Sequence, residues 1–156
     1  MLQIQFPGQP AFQITHVLSD INGTLCLDGR LIDGVLERID ELKKSVEITL
    51  LSANTTGTGP QVAQTLGVHY LGIQPGDEIR QKVEVLRKLG AENTITLGQG
   101  ANDAGMLREA VLGICVLSPE GTAISALQAA DLVAPDIRTA LDLILNPLRI
   151  TATLRA

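Results

Sequence analysis

The sequence predicts an α/β fold, a doubly wound, Rossmann-like parallel sheet with helices on both faces. Three observations predict it. Short apolar runs rich in Val, Ile and Leu alternate with amphipathic stretches of helical length. The apolar runs are continuous rather than alternating, which is how strands covered on both faces read. The chain has 156 residues, 45% of them hydrophobic, with a mean hydropathy of +0.23. That is enough apolar material for one sizeable core. No repeat, low-complexity block or linker divides it, so residues 1–156 read as a single domain.

The elements follow in order. Leu2–Phe6 and Ile14–Leu18 are expected as the first strands. Val46–Leu51, Val68–Leu71, Thr94–Leu97, Leu112–Val116 and Leu132–Ala134 are expected as the later ones. Between Leu25 and Leu31, Asp28-Gly29 supplies a hairpin turn between two apolar-flanked arms, a small flap. Helices are expected over 34–44, 59–66, 76–89, 103–110, 121–129 and 136–145. In the third of these, Ile79, Val83, Leu86 and Leu89 recur at helical spacing, and Gly90 supplies the stop. Right-handed βαβ units built this way bind ligands at the carboxyl ends of their strands. The informative residues are therefore those just after the apolar runs.

Composition excludes several functions. Aromatic residues are only 2% of the chain, too few for base-stacking platforms. The net charge of −5 disfavours nucleic acid and anionic membrane as partners. Cys26 and Cys115 cannot make a disulfide framework or a four-ligand zinc site, and read as ordinary buried thiols. His16 and His69 lack metal-ligand spacing. No signal-like opening and no apolar run of membrane-spanning length is present, so the expected setting is reducing and cytoplasmic.

Four run ends carry chemistry. Val17-Leu18-Ser19-Asp20-Ile21-Asn22-Gly23-Thr24 puts an aspartate straight after a strand. Ile48-Thr49-Leu50-Leu51-Ser52-Ala53-Asn54 ends a strand in a hydroxyl. Lys82 lies on an amphipathic helix. Leu97-Gly98-Gln99-Gly100-Ala101-Asn102-Asp103 joins a Gly-containing turn to a second carboxylate. A phosphoryl group in flight carries spread negative charge, so its catalyst needs a nucleophile, positive charge and positioning donors. Asp20 is the candidate nucleophile, Ser52 and Lys82 hold phosphoryl oxygens, and Mg2+ neutralises charge through oxygen ligands such as Asp20 and Asp103. Gly23 and Gly100 let backbone approach the anion. Ala53 and Asn54 follow Ser52 and are further substrate-binding candidates.

The constellation resembles the haloacid dehalogenase superfamily of aspartate-nucleophile phosphotransferases. Its boxes are a D-x-D-G-T run, a strand ending in Ser or Thr, a Lys, and a G-D-G-x-N-D run, in this order over about residues 12–145. The segment from Ala140 to Arg155 is similar to that of the soluble P-type-ATPase-like subgroup. The resemblance implies an aspartyl-phosphate intermediate, the Asn22 carbonyl as a metal ligand, and Thr24 bracing the loop or the lysine. Two positions depart from the pattern. The acid/base aspartate of the first box is Asn22, and an amide can neither protonate a leaving group nor activate water, help usually worth ~10²–10⁴-fold. A metal-ligating aspartate of the last box is Gln99, which keeps a carbonyl oxygen but brings no charge. The expected function is a slow or specialised Mg2+-dependent phosphatase. The alternative is a catalytically impaired phosphate-binding or regulatory protein. ATP specificity ranks last, since there is no Walker loop.

Neither spacing between the boxes leaves room for a cap domain. In cap-less relatives a large substrate or a neighbouring subunit closes the site. With Leu25, Leu27 and Leu31 expected to be exposed on the flap, the sequence favours a homo-oligomer such as a tetramer.

Overall fold

A computed structural model of the chain describes residues 1–53 and 57–156. The first strand, β1 (Leu2–Ile4), pairs antiparallel with β2 (Phe12–Ile14) in a small ribbon of its own. The main sheet begins at β3 (His16–Asp20). A continuous strand over Ile14–Leu18 is therefore not what forms, and the reason is a change of partner. Ile14 pairs with Leu2, whereas the backbone of Thr15 already bonds to Asn93 and Glu47. The flap follows as β4 (Cys26–Leu27) and β5 (Arg30–Leu31), with Asp28 and Gly29 both at positive φ in the turn between them.

From there strands and helices alternate: α1 (Val35–Leu42), β6 (Glu47–Ser52), α2 (Gly59–Leu66), β7 (His69–Gly72), α3 (Glu78–Leu89), β8 (Thr94–Gly98), α4 (Ala104–Glu109), β9 (Leu112–Val116), α5 (Ile124–Ala129), β10 (Leu132–Ala134), α6 (Ile137–Leu145) and α7 (Pro147–Leu154). The six-stranded sheet has the order β10-β9-β8-β3-β6-β7, with every neighbouring pair parallel. The chain winds outward from β3 through β6 to β7. It then crosses back to β8 and winds outward the other way. The reversal beside β3 opens a crevice at the strand carboxyl ends, the place where such sheets bind ligands.

Packing follows the strand alternation. Val17, Ile48, Leu50, Ile95 and Leu97 face a large core closed by α1, α2, α6 and α7. Leu18 and Leu51 face the other side, against Leu86 of α3 and Met106 of α4. That second face also buries threonines, and their hydroxyls are satisfied by backbone. Thr96 donates to the Met106 carbonyl at 3.2 Å, and Thr94 to that of Gly90 at 2.7 Å. Strand β9 packs tightly on α4. A Cβ at Gly113 would stand 2.0 Å from the Leu107 carbonyl oxygen, which is backbone and cannot swing away. Gly113→Ala is therefore expected to cost about 1–3 kcal/mol, read as a lowered urea midpoint.

Two further differences from the sequence expectations have physical causes. Helix α7 lies beyond the last of the expected helices, and Pro147 opens it. The proline stands at the first helical turn, where its missing N–H and fixed φ are suited. The flap is not an exposed apolar arm. Leu25 is fully buried and Leu27 and Leu31 are half-buried, so the flap leucines give no reason for self-association. Cys26 and Cys115 are both buried, as expected, and burial raises both thiol pKa values, to about 11 for Cys26. Among the described residues no helix is long and apolar enough to cross a membrane.

Candidate active site

Register puts the site together. Asp20 pairs with Leu51, and Ser19 with Leu97. Asp20, Ser52 and Gly98 thus emerge at nearly one level on three adjacent strands. After Asp20 the chain folds into a tight turn, with the backbone N–H groups of Thr24, Leu25 and Cys26 all donating to the Ile21 carbonyl. Gly23 takes φ +78 within this turn, and the Gln99 side chain lies where a Cβ would stand. The turn returns Thr24 to Asp20, so that Thr24 Oγ1 donates to Asp20 Oδ2 at 3.2 Å. Thr24 braces the nucleophile candidate itself.

Lys82 comes from α3 and is 1% exposed. Its ammonium donates to Asp20 Oδ1 at 2.9 Å, to Asp103 Oδ1 at 2.7 Å and to Asn102 Oδ1 at 3.3 Å. Its three hydrogens therefore have three acceptors. Asp103 is fully buried, and its other oxygen accepts from the backbone N–H groups of Gln99 (3.0 Å) and Gly100 (2.9 Å). Both oxygens of Asp103 are thus engaged by protein donors. Asp103 fixes the turn after β8 and holds Lys82. Gly98 admits it, since a Cβ there would lie 2.6 Å from the Asp103 side chain.

The buried trio holds two carboxylates and one ammonium. Burial raises the Asp20 pKa, and the Asp103 charge raises it further. Lys82 and Thr24 pull the other way without cancelling the effect, and Asp20 reaches about 7. For Lys82, burial alone would lower the pKa, but the two carboxylates outweigh it and hold it above its ordinary value.

Above the trio lies an open cavity of about 440 Å3. Asp20, Asn22, Ala53 and Gln99 line it, together with Glu78, Asn102 and the turn at Gly100 and Ala101. Ser52 borders Asn22, whose side-chain amide donates to Ser52 Oγ at 3.4 Å. The structure therefore brings Asp20, Asn22, Gly23, Ser52, Ala53, Lys82, Gln99 and Asp103 to one strand-end cluster. Of these, Lys82 and Asp103 lie beneath the cavity rather than on its lining. Asn54 lies outside the described residues.

Sequence reading missed Glu78 and the part played by Asn102. Glu78 Oε2 accepts from Asn102 Nδ2 at 3.2 Å. The signal was available, because Glu78 precedes Lys82 by one helical turn and so shares its face. It also missed Glu120, whose Oε1 accepts the Asp28 N–H at 3.2 Å and latches the flap turn.

A doubly wound sheet with an aspartate at the switch point, tied to a buried lysine, matches the haloacid dehalogenase-like fold. Solved structures share it. A 3-deoxy-D-manno-octulosonate 8-phosphate phosphatase from Moraxella catarrhalis, in complex with magnesium, phosphate and KDO, superimposes with TM-score 0.65 over 90% of each chain at 21% identity. A phosphoserine phosphatase solved as a phospho-aspartyl intermediate analogue gives TM-score 0.67 over 85% of this chain and 99% of that one, at 18% identity. No family model matches the sequence. The uncharacterized protein MJ0073 of Methanocaldococcus jannaschii is 42% identical over 84 residues, 51% of this chain and 90% of that protein. A soluble P-type ATPase-like phosphatase of the same organism is 27% identical over 138 residues, 85% of this chain and 50% of its own length. The chain belongs to the family of MJ0073, and its fold is that of the haloacid dehalogenase phosphatases it superimposes on.

Proposed function

We propose that the protein is a Mg2+-dependent phosphatase of phosphate monoesters that works through phospho-Asp20. The observation that carries this reading is the placement of Asp20: 8% exposed, at the switch point, on the cavity lining, and oriented by Lys82 and Thr24. An Asp20 oxygen attacks phosphorus in line. The ester P–O bond breaks, and its electron pair leaves with the alcohol oxygen. Lys82 turns its charge to the phosphoryl oxygens as Asp20 is esterified, and Ser52 donates its hydroxyl to them. Water then attacks phosphorus and restores the Asp20 carboxylate.

The donor set fits a hard divalent cation. One negative charge in excess lies at a cavity lined by Asp20, Asn22 and Gln99, residue types that all carry oxygen donors. These three would hold Mg2+, while Asp103 serves Lys82. The ion would neutralise charge between nucleophile and phosphate. Among the described residues no cluster of three or more His, Cys, Asp or Glu is placed to hold a metal, so the site is poor in charged ligands. Gln99→Asp is expected to tighten Mg2+ binding roughly tenfold or more, measured by calorimetric titration of the metal alone.

The test of function is phosphate release from para-nitrophenyl phosphate with Mg2+, together with acid-quench trapping of a hydroxylamine-labile phosphoprotein. Release with a label on Asp20 is expected. Equal release from the wild type and Asp20→Asn would remove the reading. A second reading, phosphate binding without turnover, is favoured by Asn22, whose amide carries no acid–base function. It predicts phosphate binding with no labelled protein. A cytoplasmic setting accords with the phosphatase reading.

A further inference from the structure

Dephosphorylation of phospho-Asp20 needs a base for the attacking water, and Asn22 cannot be one. Asp20 is itself esterified at that stage. Asp103 has both oxygens engaged and does not line the cavity. Glu120 holds the flap turn through Oε1, and although its Oε2 lies beside Gly23 it does not line the cavity. His16 and His69 are the first residues of β3 and β7, at the opposite end of the sheet. Glu78 remains. It is the one titratable residue besides Asp20 lining the cavity among the described residues. It is half-buried, and only its Oε2 is bound, to Asn102; Oε1 has no hydrogen bond among the described residues. The Asn102 contact fixes the carboxylate against the same amide that accepts from Lys82. Asp20 and Glu78 line the same cavity, so water attacking a phosphoryl group on Asp20 from the cavity side would pass within the space that Glu78 borders.

We propose that Glu78 is the general base of phosphoenzyme hydrolysis, taking over from the first turn of α3 the work that Asn22 cannot do. As the water oxygen bonds to phosphorus, its proton passes to the Glu78 carboxylate. The bond from phosphorus to the Asp20 oxygen breaks, and its electron pair restores the Asp20 carboxylate. Inorganic phosphate leaves, and Glu78 returns the proton to solvent through the open side of the cavity. This rests on the phospho-Asp20 reading above.

The test separates the two half-reactions with acetyl phosphate and Mg2+ in rapid acid-quench experiments on the full chain. Glu78→Gln keeps an oxygen that can accept from Asn102 and loses only the basic function. The expected result is labelling of Asp20 at a rate within about threefold of wild type and breakdown slowed about 100-fold, so that phosphoenzyme accumulates. Breakdown at the wild-type rate would overturn the proposal. So would equal slowing of both half-reactions in Glu78→Gln and Asn102→Ala, because Glu78 would then act only by positioning Asn102 and Lys82. Absence of label from the wild type would instead sink the phospho-Asp20 reading on which the inference stands.

Discussion

Asp20→Asn lowers kcat/KM for para-nitrophenyl phosphate by about 10⁴-fold or more and leaves a folded protein more stable than the wild type. The loss follows from removing the proposed phosphoryl acceptor. The gain in stability follows from charge. The folded-state pKa of Asp20 is about 7, above its ordinary value of 3.8. Between those values the folded protein binds more protons than the unfolded one, so the Asp20 contribution to stability falls as pH rises through this window. The amide carries no such cost. The two proteins should therefore be equally stable near pH 4 and diverge up to pH 7. Above that the variant should remain the more stable of the two in metal-free buffer. Thermal melts at pH 4, 6 and 8 with chelator present check the sign, and a constant difference across pH would contradict it.

Lys82→Ala produces the larger structural loss. It strips Asp20 and Asp103 of their shared cation and leaves two carboxylates facing each other in the interior. Removing one partner of such a buried cluster costs about 3–5 kcal/mol, a large part of the ~5–15 kcal/mol that holds a domain together. Acid should partly repair it, because protonating either carboxylate removes the repulsion. Urea midpoints are expected to approach those of the wild type as pH falls toward 4. Phosphatase activity should be lost at every pH, since the phosphoryl oxygens lose their ammonium. Lys82→Ala with a wild-type midpoint at pH 8 would show that the trio is not the strut described here.

Much of this was legible in the chain. Leu112–Val116 and Leu132–Ala134 form strands with the expected bounds, because buried parallel strands are continuous apolar runs closed by polar turns. The meeting of Asp20, Ser52 and Lys82 was legible because a switch-point cluster is assembled from strand ends and neighbouring helix starts, which sequence order reveals. What stayed hidden depends on pairing across the fold. The break at Thr15 is set by distant partners, Asn93 and Glu47. The burial of Leu25 is set by a turn whose three N–H groups converge on one carbonyl. Nothing local reveals that Lys82 and two backbone amides engage both oxygens of Asp103. Glu78 went unnoticed because its neighbour in space, Asn102, is far along the chain, although its spacing to Lys82 placed it on the right face.

The saturation of Lys82 bears on how the catalytic cycle ends. With three acceptors already around its ammonium, an incoming dianion must displace contacts the protein makes for itself and gains only the difference. The same exchange runs backwards once phosphorus has left Asp20, when the carboxylate reclaims its partner and expels the spent anion. For the proposed phosphatase, inhibition by orthophosphate should accordingly be weak, and turnover should persist in phosphate-rich surroundings.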